Sequence, residues 1–356
     1  MSRNSLGKNV ILTSFGESHG PFIGSVLDGF PSNYALDEHF IQMYMGRRKP
    51  GQSAISTSRA EKDAVSIISG VFNGRTTGSP IAFLIENTDA RPADYDKMKD
   101  VFRAGHGDLL YKEKYGHHDY RGGGRGSARI TAGWVAAGAL AIHYLQHTHN
   151  IHIRSWVKQI YTIDSSLPSS LPSIEMIDSN MVRCPDAHAA QQMIQAIEEA
   201  KNQGDSLGGT IHTQVHGMPV GIGEPVFGKL QSVLAQYIMS INAVKGISIG
   251  EGFNAAAMKG SQHNDQWIYK NDNLGTLSNH AGGMIGGMST GEPIVFETAF
   301  KPTSSISIPQ ETVNSNKETV PLTVTGRHDP CVVPRAVPIV EAMTALAMLD
   351  LILENK

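Results

Sequence analysis

The run Arg121-Gly122-Gly123-Gly124-Arg125-Gly126-Ser127-Ala128-Arg129 places three arginines four residues apart among four glycines. A guanidinium presents a planar fork of donors suited to carboxylate and phosphate. Glycine lets a backbone approach a ligand closely. An apolar segment from Ile130 to about Leu145 follows at once and predicts a helix, whose N-terminus favours negative charge. The run therefore reads as a site for a small anion carrying several charged groups. A flexible RGG-type nucleic-acid tail is the competing reading. Such tails are repetitive, whereas this run is single and abuts an apolar segment.

Other residues could serve the same chemistry. Histidine titrates near neutrality and suits proton transfer. Two of the fifteen histidines stand in glycine-flanked loops beside acidic residues: His19 in Gly16-Glu17-Ser18-His19-Gly20 and His106 in Gly105-His106-Gly107-Asp108. Arg103 lies close to the second. Arg47-Arg48-Lys49-Pro50-Gly51 is another cationic loop, suggesting a second clamp on a polyanion. Gly326-Arg327-His328-Asp329-Pro330-Cys331 sets a carboxylate beside basic groups just before a predicted helix, a credible acid/base position. Lys301-Pro302-Thr303-Ser304-Ser305 offers a cation and three hydroxyls to a phosphate, and Asn279 to Gly287 forms a glycine-rich loop that could approach a flat ring. Neither GxxxxGK[ST] nor a GxGxxG between strand and helix occurs, so Walker and dinucleotide Rossmann sites are not indicated. His143 and His147 have the i, i+4 spacing of a metal pair but lack a carboxylate motif, and they read as a helix-end surface cluster with no metal.

The elements that must position these residues are partly visible. Strands are predicted for Val10 to Phe15 and Ile23 to Leu27, with His19 in the turn between them. A helix from Asp37 to Met45 has Asp37 at an N-cap position and delivers the Arg47-Arg48 loop. Ala64 to Phe72 and Pro80 to Ile85 read as strands joined by Asn73-Gly74. Glu86 to Lys114 reads as polar loop. The helix from Ile130 is small and apolar all round, which predicts burial. Further helices are expected over Ala187 to Asn202, Val226 to Ile241 and Ala336 to Leu353, the last with Pro338 near its start. Thr77-Gly78-Ser79-Pro80-Ile81-Ala82-Phe83 echoes Thr290-Gly291-Glu292-Pro293-Ile294-Val295-Phe296, and both read as a turn entering a strand. This predicts a duplicated unit inside one compact α+β domain over residues 1–356.

Composition bounds the rest. Hydrophobic residues make 40% and charged residues 18% of the 356, as in a soluble globular enzyme. A formal net charge of -3 argues against bulk nucleic-acid binding. The two cysteines, Cys184 and Cys331, build neither a disulfide framework nor a paired-cysteine zinc motif. The N-terminus has no apolar signal core, and no uniformly apolar stretch predicts a membrane span. A reduced cytoplasmic protein is expected.

Three of these motifs, in this order, resemble chorismate synthases: Gly16 to Gly20 through Asp28-Gly29-Phe30-Pro31; Tyr120 to Arg129; and Gly326 to Cys331 through Glu341-Ala342-Met343. Ser240 to Gly246 and Lys301 to Ser305 agree as well, and the resemblance runs from about Gly7 to Leu349. It implies a β-α-β sandwich, a homotetramer, and a 1,4-trans elimination of phosphate from 5-enolpyruvylshikimate 3-phosphate. Reduced FMN is required without net redox change, and NADPH is the implied external electron source. By position, His19 resembles the acid that protonates the departing phosphate. His106 resembles the group that protonates or stabilises the flavin, and Asp329 the carboxylate that works with flavin N5 as the C6 proton leaves. Arg48, Arg103, Arg129 and Arg327 resemble substrate clamps, with Arg327 also near the flavin. Arg125, Gly126, Ser127, Asn242, Ala243, Gly286 and Lys301, Pro302, Thr303, Ser304, Ser305 resemble FMN-binding positions.

The chain departs from the common pattern in places. Ile130 stands where Glu is usual, Trp134 where many members have Arg, and Ala54 where a second Arg is frequent, with Arg59 nearby. The loop Arg-Pro-Gly-His-Ala-Asp is here Arg103-Ala104-Gly105-His106-Gly107-Asp108. Three alternatives stay open at this point. One is a bifunctional form that reduces its own flavin with NADPH. Another is a non-catalytic RNA-binding protein using the RGGGRG loop. The third is a paralogue that binds ligand without turnover.

Overall fold

The computed structural model describes residues 4–52, 55–56, 61–89, 99–117, 119–270, 272–324 and 328–354. Among them, alternation of buried and half-exposed residues marks the inner strands. Ile81, Phe83 and Ile85 are buried while Ala82 and Leu84 are not fully so, and Ile294–Phe300 repeats the pattern. The first antiparallel sheet runs in the spatial order Ser5–Leu6, Ile11–Gly16, Phe22–Asp28, Ile81–Glu86, Val65–Ser69. The second runs Val244–Ile249, Ile294–Phe300, Gly209–His216, His152–Ile160, Ile163–Asp164.

The described helices are α1 (Glu38–Arg48), α2 (Asp108–Tyr115), α3 (Thr131–His149), α4 (Ile174–Ile177), α5 (Ala187–Asn202), α6 (Leu230–Met239), α7 (Gly260–His263) and α8 (Val333–Glu354). Asp37 caps α1, accepting from Phe40 N at 2.9 Å. Helix α3 packs on the first sheet and α8 on the second, and the two helices lie against each other between the sheets. The result is a sheet–helix–sheet sandwich. Gly138 makes the helix contact close: a Cβ there would come within 2.4 Å of Ala342 Cβ. Gly133 does the same toward the first sheet, where a Cβ would stand 2.8 Å from the carbonyl carbon of Gly24.

The two halves share one path. The first is strand 11–16, strand 22–28, α1, strand 65–69, strand 81–86, α3. The second is strand 152–160, strand 209–216, α6, strand 244–249, strand 294–300, α8. Both sheets order these strands first, second, fourth, third. The echo at Thr77 and Thr290 falls on the turn into the fourth strand of each, and Gly78 and Gly291 both carry positive φ there, 83° and 89°.

Three expectations are corrected. Helix α2 takes up the end of the segment read as loop, Glu86 to Lys114, and runs one residue past it. It is short, polar and contains no buried residue, so it shows no apolar periodicity. Asn73-Gly74 turns a small hairpin, Val71–Phe72 with Arg75–Thr76, while Val65–Ser69 pairs directly with Ile81–Glu86. Pro338 sits well inside α8, which begins at Val333. Proline cannot donate to the carbonyl four residues back, and Arg183 Nη1 donates to that carbonyl of Pro334 instead.

Helix α8 is long and apolar enough to cross a membrane by composition, but 94% of its most apolar window is buried in the fold. Its charged groups are paired. Glu341 is fully buried, accepts from Ser155 N at 2.9 Å and pairs with Arg47 Nη1. Arg47 Nε also meets Asp178 at 2.7 Å. Asp350 Oδ1 accepts from Asn9 N at 2.6 Å and Val10 N at 2.9 Å.

Candidate active site

The glycine-rich run is a tight 3-10 turn over Arg121–Gly126, not an open loop, followed by a second over Ala128–Ile130 that leads into α3. Its arginines diverge. Arg121 forks onto Asp119 at 2.7 and 2.8 Å. Arg125 donates to Ser14 O at 2.9 Å and Gly16 O at 3.0 Å, fastening the turn to strand 11–16. Arg129 turns inward and is buried. One anion held by all three, as the spacing suggested, is not the arrangement here.

The run does meet the His19 turn. Ser18 N donates to Gly124 O at 3.4 Å. His19 is buried and lies near Asp119, whose carboxyl is held below its usual range first by the hydrogen bond from Arg121 and, in smaller part, by His19. Asn87 holds the turn from the other side, donating to Glu17 O at 3.1 Å and Gly20 O at 2.8 Å. The same side chain accepts from Arg129 Nε at 2.8 Å.

Arg129 and Arg48 share one carboxylate. Arg48, the last residue of α1, donates to Asp63 Oδ2 at 2.9 Å, and Arg129 Nη1 bonds Asp63 Oδ1. All three side chains are buried. Burial alone would push the Asp63 carboxyl up, but Arg48 and then Arg129 bring it below its ordinary value. Glu61 lies 3.9 Å from Arg129 Nη2. These partners also answer for Ile130: Arg129 is oriented by Asp63, Asn87 and Glu86 O without a carboxylate at 130.

A second group of residues faces the first. Arg103 forks onto Asp108 at 2.7 and 2.8 Å. His106 Nε2 lies 2.7 Å from Ser305 Oγ. Lys301 Nζ and Ser304 Oγ donate to Gly105 O at 3.1 and 3.0 Å. Gly105 has φ +68°, and a Cβ there would strike Ser304 Oγ at 2.6 Å. His106 is pushed down to about 4, chiefly by burial and then by Arg103, with Asp108 opposing. Thr303 Oγ1 donates to Asp329 O at 2.9 Å, and Arg335 Nη1 bonds Asp329 Oδ2. Arg335 Nε in turn reaches Arg48 O at 3.4 Å. Arg327 lies outside the described residues, as do Ala54 and Arg59.

Of the remaining candidates, Asn242 Nδ2 donates to Gly126 O at 2.9 Å, tying the segment 242–243 to the arginine-glycine run and Ser127 beside it. Ala243 has φ +68° and accepts from Lys301 N at 3.0 Å. Gly286 turns the hairpin Met284–Ile285/Met288–Ser289, which the hydrogen bonds above do not reach. Beside these groups opens a cavity of about 850 Å³ lined by Asp108, Tyr111, Arg125, Ile130 and Trp134, so two of the departures noted in the sequence, Ile130 and Trp134, face it. Among the described residues no cluster of three or more His, Cys, Asp or Glu is placed to hold a metal ion. Asp63, Asn87 and Arg335 were missed because each gains its partners through the fold, from 15 to 287 residues away in sequence, or from a six-residue step that motif reading ignores.

The chorismate synthase family model matches residues 10–353. The chain belongs to the chorismate synthase family. Chorismate synthases of Cytophaga hutchinsonii and Prochlorococcus marinus are each 49% identical to it over 354 residues, covering 99% of this chain and 98% and 97% of theirs. One from Opitutus terrae is 48% identical over 347 residues, covering 98% of this chain and 96% of its own. A crystal structure of chorismate synthase superposes with a TM-score of 0.78 at 31% identity, covering 98% of this chain and 93% of that one. The chain is thus a chorismate synthase, a lyase of aromatic amino-acid biosynthesis acting on a small molecule. Membership implies a requirement for reduced flavin. The RNA-binding and flavin-reducing alternatives gain no support from these likenesses.

Proposed function

We propose that this chain, acting as one domain over residues 1–356, eliminates phosphate from 5-enolpyruvylshikimate 3-phosphate to give chorismate, with FMN as cofactor. The observation that carries this reading is the meeting of His106 with Ser305 at 2.7 Å beside Lys301. It puts a proton-carrying group on a segment suited to a phosphate-bearing ligand.

The residues present fit a flavin mononucleotide. Lys301, Thr303, Ser304 and Ser305 supply a cation and hydroxyls for its phosphate. Asn242 Oδ1 is buried without a protein partner, leaving an acceptor for a ring N–H. Arg125, Gly126, Ser127, Ala243, Pro302 and Gly286 complete the proposed binding set, with Arg327. Bound and reduced, FMN supplies electron density that eases C–O cleavage without net redox change. NADPH is the proposed external electron source.

Arg48, Arg103, Arg129 and Arg327 bind the substrate's phosphate and carboxylates. His19, steadied by Asn87, hands a proton to the departing phosphate. Asp329, oriented by Arg335, stands where the C6 proton leaves. His106 is neutral near pH 7 in the ligand-free protein. An anion bound beside Arg103 and Lys301 offsets two of the charges that depress it and so raises its proton affinity. The assembly proposed is a cytoplasmic homotetramer without nucleic-acid or membrane partners.

Anaerobic phosphate release with photoreduced FMN, repeated with oxidised FMN, tests the reading. Release with chorismate formation only under reduced flavin is expected. No release from a folded, flavin-binding protein would reject it.

A further inference from the structure

Asp63 has no side-chain exposure, yet both its oxygens are used, one by Arg48 and one by Arg129. Its backbone is held at φ +49°, a conformation few side chains adopt but one that Asp and Asn tolerate. Gln42, six residues before Arg48 on α1, donates to the Asp63 carbonyl at 3.1 Å and accepts from Val65 N at 3.2 Å. The carboxylate is therefore fixed from behind and fixes two guanidiniums in front. From it a continuous path runs both ways. Through Arg129 and Asn87 it reaches the carbonyls of Glu17 and Gly20 around His19. From Arg48, through its carbonyl and Arg335, it reaches Asp329. Two like charges held close need such a counter-ion, and one that cannot rotate also dictates their spacing.

We propose that Asp63 is a positioning residue that sets the spacing of Arg48 and Arg129 for the substrate's acidic groups. The proposal rests on the reading of those arginines as substrate clamps. Asp63 touches neither substrate nor flavin; it acts through the two arginines.

The test is anaerobic turnover with reduced FMN by wild type, Asp63→Asn, Asp63→Glu and Arg129→Gln, with FMN affinity measured separately by fluorescence quenching. Asn keeps the shape and the backbone preference and removes the charge. Asp63→Asn raises KM about tenfold or more, the scale of a lost charged hydrogen bond, with kcat within about threefold and FMN affinity unchanged. Asp63→Glu recovers part of that loss. If Asp63→Asn does not fold, Asp63→Glu alone decides: its longer arm displaces both guanidiniums and raises KM. A wild-type KM in the Asp63 variant while Arg129→Gln raises KM overturns the proposal. A wild-type KM in both overturns the clamp reading beneath it. Loss of FMN affinity in parallel with KM marks a general structural role and also overturns it.

Discussion

Arg129 Nε and Asn87 Oδ1 meet at 2.8 Å, and through that contact a buried cation on one side of the site steadies the turn that carries His19. Asn87 spends its amide on Glu17 O and Gly20 O, so one side chain spans the His19 turn and couples it to Arg129.

Replacing Asn87 with Leu keeps the volume and removes all three hydrogen bonds. Stability falls by about 1–3 kcal/mol, the cost of leaving half-buried partners unsatisfied. Turnover falls by about tenfold or more, because the His19 turn loses its fixed position. Urea unfolding and kcat measured on one preparation check both, and full turnover would show that the turn holds itself.

His106 makes the stability of the ligand-free protein pH-dependent. Its pKa is pushed down to about 4 in the fold, against about 6.5 in the unfolded chain. Between these values the unfolded chain takes a proton that the folded one refuses, so stability drops as pH falls from about 6.5 to 4 and levels off below. His106→Gln flattens that part of the curve. Unfolding midpoints at pH 7 and pH 5 for both proteins provide the measurement, and parallel changes would remove His106 from the effect.

Gly105→Ala separates the loop from the segment 301–305 proposed to hold the flavin phosphate. Its Cβ would stand 2.6 Å from Ser304 Oγ at a φ of +68° that alanine resists. FMN affinity weakens by about tenfold as Ser304 and Lys301 are displaced. Unchanged affinity in a flavin titration would mean that this segment does not grip the phosphate.

Glu341→Leu strands Arg47 beside a buried apolar side chain. The expected loss is about 3 kcal/mol, with Asp178 retaining part of the charge pairing. Adding Arg47→Leu restores part of it, since an apolar pair replaces an ion pair at little net cost. A double-mutant cycle in urea reads the coupling directly, and additive losses would show that the pair is not coupled.

What was legible followed from periodicity and local chemistry. Helix α5 occupies the expected residues 187–202 because its apolar positions recur on one face, and Asp186 caps it through His188 N and Ala189 N. Helix α3 was readable from its unbroken small apolar sequence, and the Thr77 and Thr290 echo marked the repeated unit. Helix α2 was not readable, because nothing in it is buried. The second sheet's strands 152–160 and 209–216 bury Ser155, His212 and Thr213 along with their apolar residues, which blurs the apolar–polar alternation that would announce a strand. Within the site, the arginines announced themselves by type. The carboxylate shared by Arg48 and Arg129 did not, because Asp63 meets Arg129 across a separation of 66 residues, only after the chain has folded.

The close approach of Gly138 to Ala342 acts as a caliper. His19, Arg48, Arg103 and Arg129 come from the half that ends in α3. Residues 301–305 and Asp329 belong to the half that ends in α8. The gap between the two sets of groups is therefore gauged by a helix contact that includes none of them. A single methyl inserted at 138 would jack the halves apart, leaving each of these residues in place within its own half and out of reach of its proposed counterpart.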